Sequence, residues 1–397
     1  MSHSDFANLE ISPRAAPISS LFPEILCQIF TLVIPPLKPD PPLLPPSSLL
    51  ESDDDAEGHL IPPGPPWVLG QVCGQWRAIA LAYGPLWSSI LLSTCCDIQQ
   101  RRFIERQLDR AGTSPLNVLL RFTSFSDFDH LKHVLPTFNK IVERRAQWRS
   151  LHLEFHCAHW PPAAFAHLGS LPMLQELRFS GRGTPEMEKD WERVFQDVDM
   201  PNLRHAILGE AKSEPSPIVM LPWDQLTVYK ATYTDPLTHF ANLSTATNLV
   251  ECDLDFGELG FQPVGDLGVV TLPHLRRLVI TSASFLPHFL APALEDINVH
   301  GDQIEHVLPF LNRSQSAETL KKLTLFMCDA AASEVIVVLH HTTTLIWLAI
   351  DFLGPQTETA LLVEALCIQA NESIVCPRLT SLSWGDRCNT DERVRSV

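Results

Sequence analysis

The hydrophobic pattern of this chain changes from helical spacing near its start to strand-like alternation further on. Apolar residues recur three and four positions apart within residues 21–33 and again within residues 67–90. From residue 148 onward, the pattern apolar–x–x–apolar–x–apolar occurs in ten copies, and the last three positions of each copy alternate as in a strand with one buried face. The pattern therefore predicts an α/β protein, with a small all-α region followed by an array of similar strands.

The ten copies start 19 to 34 residues apart, and most intervals lie in the roughly 20–29-residue range of leucine-rich repeats. The copies are Trp148-Leu151-Leu153, Leu174-Leu177-Phe179, Leu203-Ala206-Leu208, Trp223-Leu226-Val228, Leu249-Cys252-Leu254, Leu275-Leu278-Ile280, Leu294-Ile297-Val299, Leu320-Leu323-Leu325, Leu345-Leu348-Ile350 and Leu379-Leu382-Trp384. Three residues after the last apolar position, where the standard repeat has Asn or Cys, only Cys328 qualifies. The array therefore resembles an irregular leucine-rich-repeat solenoid, whose units bury their apolar faces on one another. An α/β domain unrelated to these repeats is the alternative.

The two helical segments near the start are separated by a proline-rich stretch. Ser20 is a possible cap just upstream of the first helix, Pro23 suits its first turn, and Pro35 ends it. In the second segment Gly74 favours a bend, and Gly84 followed by Pro85 is a stop signal. A unit below roughly 70–80 residues rarely buries this much apolar surface by itself. The excess is expected to pack on the rest of the chain or on a partner.

The identity of these residues resembles the F-box, the motif by which substrate receptors dock on the Skp-type adaptor of cullin-RING ubiquitin ligases. Its Leu-Pro-Pro-Glu-Ile/Leu-Leu-x-x-Ile-Phe opening is matched, with Phe22 in place of a proline, by Leu21, Pro23, Glu24, Ile25, Leu26, Ile29 and Phe30. Its second half is matched by Val72, Cys73, Trp76, Arg77 and Ala80, and its closing pair by Leu86 and Trp87. The resemblance implies an adaptor-binding set of Leu21, Pro23, Ile25, Leu26, Ile29, Phe30, Val72, Cys73, Trp76, Leu86 and Trp87.

The insert between the two halves departs from the short loop of the family. Residues 35–66 contain eleven prolines in 32 residues, and five acidic side chains lie between Glu51 and Gly58. Proline density and charge repulsion favour an extended, solvated linker. A phosphorylation or docking segment is the alternative.

These patterns divide the chain into four predicted regions. They are a disordered tail over 1–17, an F-box over 18–90 with its insert at 35–66, linking and capping elements over 91–147, and an irregular leucine-rich-repeat array over 148–397. Helices are expected at 97–111, 128–147, 186–198, 331–341 and 357–370, with a first strand at 116–122.

Charge and composition restrict the partners. The chain has 29 basic and 46 acidic residues, a formal net charge of −17, which repels nucleic acid and anionic membranes. The start lacks the features of a secretory signal, and no apolar run approaches the ~20 residues of a membrane helix. The ten cysteines form no CxxC pair. A soluble protein of the cytoplasm or nucleus is expected.

Candidate binding residues follow from the strand alternation. Outward positions place aromatic side chains beside an acidic centre, which suits a basic protein target, and the candidates are Tyr229, Glu251, Asp253, Asp255, Phe326 and Trp347. A second cluster suggests zinc ligands: His152, Glu154, His156, Cys157 and His159. A polar strand face is the favoured interpretation of that cluster, because residues two apart on a strand converge poorly on one ion. No catalytic motif is found, so neither a catalytic residue nor a cofactor is expected.

The resemblance implies the substrate-recognition subunit of an SCF-type ubiquitin ligase, which is not itself an enzyme. Its partners would be the adaptor, a cullin reached through the adaptor, and a target protein held by the repeats. The alternative is a scaffold with the same two surfaces that binds partners without promoting ubiquitination.

Overall fold

The computed structural model describes residues 21–34, 66–94, 96–122, 128–155, 165, 168–181, 195, 197–209, 220–232, 236–256, 267–300, 303–328, 331–352, 356–367 and 375–384. The predicted tail over 1–17 and residues 35–65 of the insert lie outside this part of the chain. The chain forms two compact units. The first, called here the helical unit, comprises Met1–Ile90 and Asp97–Leu116; the second, the sheet unit, comprises Leu91–Cys96 and Asn117–Val397. The helical unit therefore includes residues 97–116, which sequence analysis assigned to the following region.

The helical unit contains four helices and one 3-10 turn among its described residues. They are α1 (Pro23–Val33), α2 (Leu69–Val72), α3 (Gly74–Ala82), the 3-10 turn Gly84–Trp87 and α4 (Ile98–Ala111). Phe22 is the N-cap residue of α1, without a side-chain hydrogen bond, and Pro23 occupies the first turn. Ser20, the predicted cap, lies outside the described residues, whereas Pro23 at the first turn and the stop before Pro35 are confirmed.

Two residues shape the second half of the helical unit. Cys73 is extended and separates α2 from α3, and its Sγ accepts the backbone N–H of Trp76 at 3.4 Å. The predicted bend thus lies at Cys73, one residue before Gly74. A Cβ on Gly84 would lie 2.6 Å from Ser114 Oγ and 2.8 Å from the carbonyl oxygen of Ala111. Only glycine permits this close approach to the end of α4.

The sheet unit is organised around a twelve-stranded sheet. The strands of the chain are β1 (Ser89–Ser93), β2 (Leu116–Phe122), β3 (Trp148–Phe155), β4 (Glu176–Gly181), β5 (His205–Leu208), β6 (Val228–Thr232), β7 (Glu251–Asp255), β8 (Val270–Thr271), β9 (Arg277–Ile280), β10 (Phe289–Leu290), β11 (Asp296–His300), β12 (Lys322–Cys328), β13 (Trp347–Phe352) and β14 (Ser381–Trp384). They follow chain order in the large sheet, with β8 and β10 paired separately. The pairs from β3 to β14 are parallel. The mixed α/β class is confirmed.

Connections between strands include five helices among the described residues. They are α5 (Phe128–Glu143), α6 (Pro236–Leu243), α7 (Val307–Ser314), α8 (Ala332–His341) and α9 (Gln356–Leu366). The predicted helices at 97–111, 128–147, 331–341 and 357–370 correspond to α4, α5, α8 and α9, although α5 and α9 end earlier. Most of the helix predicted at 186–198 lies outside the described residues. None of the helices in the described ranges is long and apolar enough to cross a membrane.

Nine of the ten predicted copies align with the observed register. For example, Leu177, Leu278 and Leu348 are all inward residues of aligned strands. The fourth copy is wrong by three residues, because the buried triplet is Leu226-Tyr229-Ala231, and Ala206 pairs with Tyr229. Trp223 instead lies in a 3-10 turn, with its ring centroid 4.8 Å from that of Tyr229. The same apolar spacing fits both registers, so it could not distinguish them.

Polar side chains join successive copies before their strands. Each donates a hydrogen bond to a backbone carbonyl about one repeat earlier: Asn202 to Pro172 at 2.6 Å, Gln225 to Met200 at 2.5 Å, Asn248 to Asp224 at 2.7 Å, Thr319 to Leu294 at 2.9 Å and Thr344 to Leu320 at 2.8 Å. These bonds satisfy turn carbonyls and connect each copy to the one before it. A repeated polar position was expected after the strands, and the observed row of polar side chains lies before them.

Candidate functional site

Helix α1 carries an apolar arc of which only one edge is buried. Leu26 and Phe30 are fully buried, and the ring of Phe30 packs on Trp76 of α3 with centroids 4.8 Å apart. On the other edge, Ile25 is 42% exposed and Leu32 is 86% exposed. These two residues are seven apart and share a helical face. Helix α1 therefore presents an apolar stripe that its own unit leaves open.

The second half of the unit adds exposed apolar residues. Val72 is 57% exposed at the end of α2, and Val68 and Leu81 are also exposed. Cys73 is exposed and Trp76 is half-buried. The indole N–H of Trp76 is buried and has no hydrogen-bond partner among the described residues. The second half thus adds exposed aliphatic side chains and one half-buried indole.

The predicted adaptor-binding set separates into surface and interior residues. Pro23, Ile25, Val72 and Cys73 are exposed, and Leu21, Ile29 and Trp76 are half-buried. Leu26, Phe30, Leu86 and Trp87 are buried, with Trp87 Nε1 donating to the carbonyl of Ala80 at 2.7 Å. These four side chains are therefore not available for the direct partner contact expected from the sequence, because they are buried in the helical unit.

A cation clamp holds α4 to the rest of the helical unit. The guanidinium of Arg110 lies 4.4 Å from the ring centroids of both Trp67 and Trp87. The two indoles meet edge to face, with centroids 4.9 Å apart. Burial, with a smaller contribution from Arg106, lowers the pKa of Arg110. The clamp stabilises the base on which α1 to α3 display their apolar residues.

The outward face of the sheet carries most of the predicted target-binding residues. Glu251, Asp253, Asp255, Phe326 and Trp347 are half-buried on this face. Phe326 packs beside His300, with ring centroids 4.8 Å apart. Burial lowers the pKa of His300, against an opposing effect of Asp255. This face is therefore polar and half-buried, with aromatic residues towards β12 and β13.

Tyr229 does not belong to that face. It is 0% exposed and lies in the apolar layer between the strands and their connections. Burial raises the pKa of its hydroxyl well above the ordinary value. The predicted target-binding role of Tyr229 is wrong, because the three-residue register shift described above turns its side chain inward.

Basic residues on neighbouring strands divide the predicted acidic centre. Lys230 Nζ lies 3.8 Å from Asp253, and Arg277 Nε lies 3.8 Å from Asp296. Burial is the largest effect on Asp296 and raises its pKa. The face between β6 and β11 consequently alternates in sign, and its attraction for a basic target is weaker than the sequence suggested.

The suspected zinc cluster is a buried ion-pair network where the structure describes it. Glu154 accepts a hydrogen bond from Arg121, and His152 Nε2 lies 3.2 Å from Ser180 Oγ and 3.6 Å from Glu154 Oε1. Burial lowers the pKa of His152 to about 4, so the imidazole is neutral at pH 7. Both polar neighbours approach the same ring nitrogen, which is not the arrangement of a nucleophile–base–acid triad. His156, Cys157 and His159 lie outside the described residues.

A pocket at the amino ends of the central strands was missed by sequence reasoning. Its volume is about 530 Å³, and it is lined by Arg204, Gln225, Thr227, Asn248, Val250, His274, Arg276 and Ala293. Arg204, Thr227, Val250 and Arg276 each immediately precede a strand. Arg204, Val250 and Arg276 each follow the first residue of a predicted apolar triplet, so reading that position down the copies would have found these three, whereas the misread fourth copy concealed Thr227.

Comparison with known proteins assigns no family to this chain, because neither a family model nor a curated protein matches it. Within the part of the chain that the structure describes, no group of three or more His, Cys, Asp or Glu residues is placed to hold a metal ion. The candidate functional features in the described residues are the apolar residues of the helical unit, and the polar face and amino-end pocket of the sheet unit.

Proposed function

We propose that the chain is the substrate-recognition subunit of an SCF-type ubiquitin ligase. The helical unit acts as an F-box that docks on the Skp-type adaptor and, through it, on a cullin. The sheet unit acts as an irregular leucine-rich-repeat solenoid that holds a target protein. The observation that carries the proposal is the open apolar stripe of α1, in which Ile25 matches the F-box pattern and Leu32 extends the same face.

The division of the motif into two layers supports docking. Leu26, Phe30 and Trp87 fill the interior, so the unit has a core without a partner. Ile25 and Val72 are large aliphatic residues that this core does not use. Covering an exposed aliphatic side chain with a partner contributes roughly 25 cal/mol for each Å² removed from water. A helix that keeps such residues in water is suited to insertion into a hydrophobic groove.

The sheet unit is suited to holding a target. Each copy contributes one strand, and consecutive strands are aligned without a change of order apart from the small β8–β10 pair. Outward side chains therefore form continuous rows, such as Glu251, Arg277 and Asp296 across three neighbours. The receptor contributes to ubiquitination by proximity, since it raises the effective concentration of a target lysine near the charged ligase.

Adaptor docking is tested with the full chain carrying Ile25→Asp and Val72→Asp. Both residues are exposed, so the fold is expected to persist, as circular dichroism checks, while co-purification with the adaptor is lost. The matched control is Leu361→Asp on α9, where an exposed leucine of the sheet unit is changed in the same way. Adaptor binding that survives in the double variant, or is lost equally in the control, would reject the docking surface.

Reconstituted ligase assays separate the receptor from the scaffold alternative. A receptor that brings a bound target to the cullin complex yields ubiquitinated target, and the double variant abolishes it. Capture of adaptor and target without ubiquitination would favour the scaffold.

A further inference from the structure

The pocket at the amino ends of the central strands, called here the amino-edge pocket, differs in charge from the rest of the chain. Its lining contains two arginines, one histidine and no carboxylate. The whole chain, in contrast, has 46 acidic against 29 basic residues. A cationic concavity on an acidic protein concentrates anionic ligands at one place and repels them elsewhere.

The two arginines of the pocket can still bind an anionic ligand in addition to their contacts within the chain. Arg204 Nη1 donates to the carbonyls of Leu203 at 2.9 Å and Pro201 at 3.4 Å, which fixes the guanidinium without neutralising it. The side chain of Arg276 is 67% exposed, and its ion-pair partner Glu295 is 3.9 Å away. Glu295 also accepts a 2.7 Å hydrogen bond from Lys321, which is the largest cause of its lowered pKa. Arg276 therefore shares a carboxylate that another cation holds more closely.

The spacing of the arginines fits an extended chain. Arg204 precedes β5 and Arg276 precedes β9, and the sheet order between them is β5, β6, β7, β9. Three steps of roughly 4.8 Å place the two positions about 14 Å apart. An extended peptide covers that distance in about four residues, at roughly 3.3–3.6 Å each. Side chains at positions i and i+4 would thus reach the two guanidinium groups.

The middle of the pocket suits a peptide backbone. Gln225 and Asn248 each use one amide N–H on a carbonyl of the preceding copy, which fixes the side chain. The second N–H and the oxygen of each amide are then the groups that a crossing peptide can meet. Thr227 and Val250 precede β6 and β7, between the two arginines in the order of the sheet, and they add a small hydroxyl and an apolar contact.

We propose that the amino-edge pocket binds an extended acidic segment of a protein, with oxyanions four residues apart on Arg204 and Arg276. Carboxylates and phosphorylated serines share this chemistry, and a guanidinium engages either through paired hydrogen bonds. The inference rests on the proposed function in that the segment belongs to the target that the receptor holds. His274 also lines the pocket.

The test uses fluorescently labelled ten-residue peptides and fluorescence anisotropy with the full chain. One peptide carries glutamate at i and i+4, one carries phosphoserine there, and the controls carry glutamine at those positions or glutamates at i and i+1. The two oxyanion peptides with i,i+4 spacing are expected to bind, with affinity that falls as salt rises. Arg276→Gln is expected to weaken binding about tenfold, the size expected for a charge-assisted contact. Lys322→Gln, on the outward face, is expected to have no effect.

Three outcomes overturn the proposal. They are absence of binding by both oxyanion peptides at low salt, equal binding of the glutamine control, and binding that responds to Lys322→Gln but not to Arg276→Gln. Arg204→Gln is measured as a second variant, because Arg204 also holds backbone carbonyls. A labelled single-stranded DNA that binds better than the peptides would assign the pocket to nucleic acid instead.

The outcome is independent of adaptor docking. The variant with Ile25→Asp and Val72→Asp is expected to bind the peptides as the wild-type chain does. Loss of adaptor binding with retained peptide binding would leave the pocket standing, and the reverse would reject the pocket while leaving the docking surface intact.

Discussion

The helical unit and the sheet unit differ in how far their apolar side chains are buried. In the sheet unit, the inward triplets of the first nine copies, in their observed register, are at most 3% exposed. In the helical unit, Phe22 at the N-cap of α1 and Ile25, Leu32 and Val33 within α1 are exposed. In those nine copies each strand has neighbours that continue its apolar layer, whereas among the described residues α1 packs through one edge on α3 and the 3-10 turn. Periodicity therefore predicts which residues are apolar on one face, and neighbours decide whether that face is closed.

The last copy shows that this contrast depends on neighbours and not on sequence. Leu382 of β14 is in register with Leu348 of β13, but it is 47% exposed. In the described chain, no strand follows β14 in the sheet. A terminal repeat lacks the stacking that buries its equals. The exposure of Leu382 therefore reflects its place on the last described strand of the sheet.

The largest expected effect comes from removing a side chain of the buried apolar layer of the sheet unit. Leu323→Ala on β12 removes a fully buried side chain and is expected to lower the free energy of unfolding of the sheet unit by about 2–5 kcal/mol. Urea denaturation followed by circular dichroism measures this change. Lys322→Ala, one residue earlier on the exposed side of the strand, is the control and is expected to cost less than about 0.5 kcal/mol. Similar losses in the two variants would contradict the assigned faces.

The next effect concerns the buried polar network of the sheet unit. The pKa of His152 is about 4 in the folded chain and 6.5 ordinarily, so the unfolded chain binds the additional proton between those values. Stability contributed by this residue is present above pH 6.5 and is lost as the pH falls towards 4. The loss is about 3 kcal/mol for the full shift.

Measuring urea midpoints at pH 7 and pH 4.5 checks this prediction. His152→Gln keeps a group that can bond Ser180 and removes the titration, so its stability relative to wild type is expected to improve at the lower pH. The charged groups around His152 are Glu154, Arg178, Arg121 and Glu176. They remain in both proteins, so their contribution cancels to first order. A constant difference between the two proteins across this pH range would show that His152 does not carry the effect.

Much of the fold could be predicted from spacing. The bounds of β2 are those expected at 116–122, and α4 and α8 lie within one residue of their predicted starts. Strand β1 was missed because Ser89 to Ser93 continue the apolar run of a helical segment. The register of the fourth copy was misread because Trp223 and Leu226 satisfy the same spacing as Leu226 and Tyr229. Local patterns do not distinguish between such registers, whereas pairing with β5 and β7 does.

The candidate site was predictable only in part. The F-box pattern singled out eleven residues, but it did not separate buried Leu26 from exposed Ile25, since adjacent residues belong to one wide apolar arc. That distinction depends on where α3 packs. The amino-edge pocket was not predicted, because Arg204 and Arg276 are 72 residues apart in the chain and line one pocket only through the order of the strands.

A smaller effect tests what supports the open surface of the helical unit. Arg110→Ala removes two cation–π contacts, each worth roughly 0.5–1 kcal/mol at a partly exposed site, so a loss of about 1–2 kcal/mol is expected. Thermal denaturation with tryptophan fluorescence measures it, because Trp67 and Trp87 form the contact. Arg106→Ala on the exposed side of α4 is the matched control. An equal change in both variants would assign the effect to helix charge and not to the indoles.

The smallest expected change in stability is that of an exposed residue of α1, and it is compared with that of the buried residue next to it. Ile25→Ala is expected to change the free energy of unfolding by less than about 1 kcal/mol, because its side chain is 42% exposed. Leu26→Ala, one residue later and fully buried, is expected to cost about 2–5 kcal/mol. Adaptor affinity should reverse this order at a temperature where both variants are folded: Ile25→Ala weakens it directly, and Leu26→Ala leaves it nearly unchanged. If both properties followed burial alone, the open edge of α1 would be an unused surface, and the apolar arc would serve folding only.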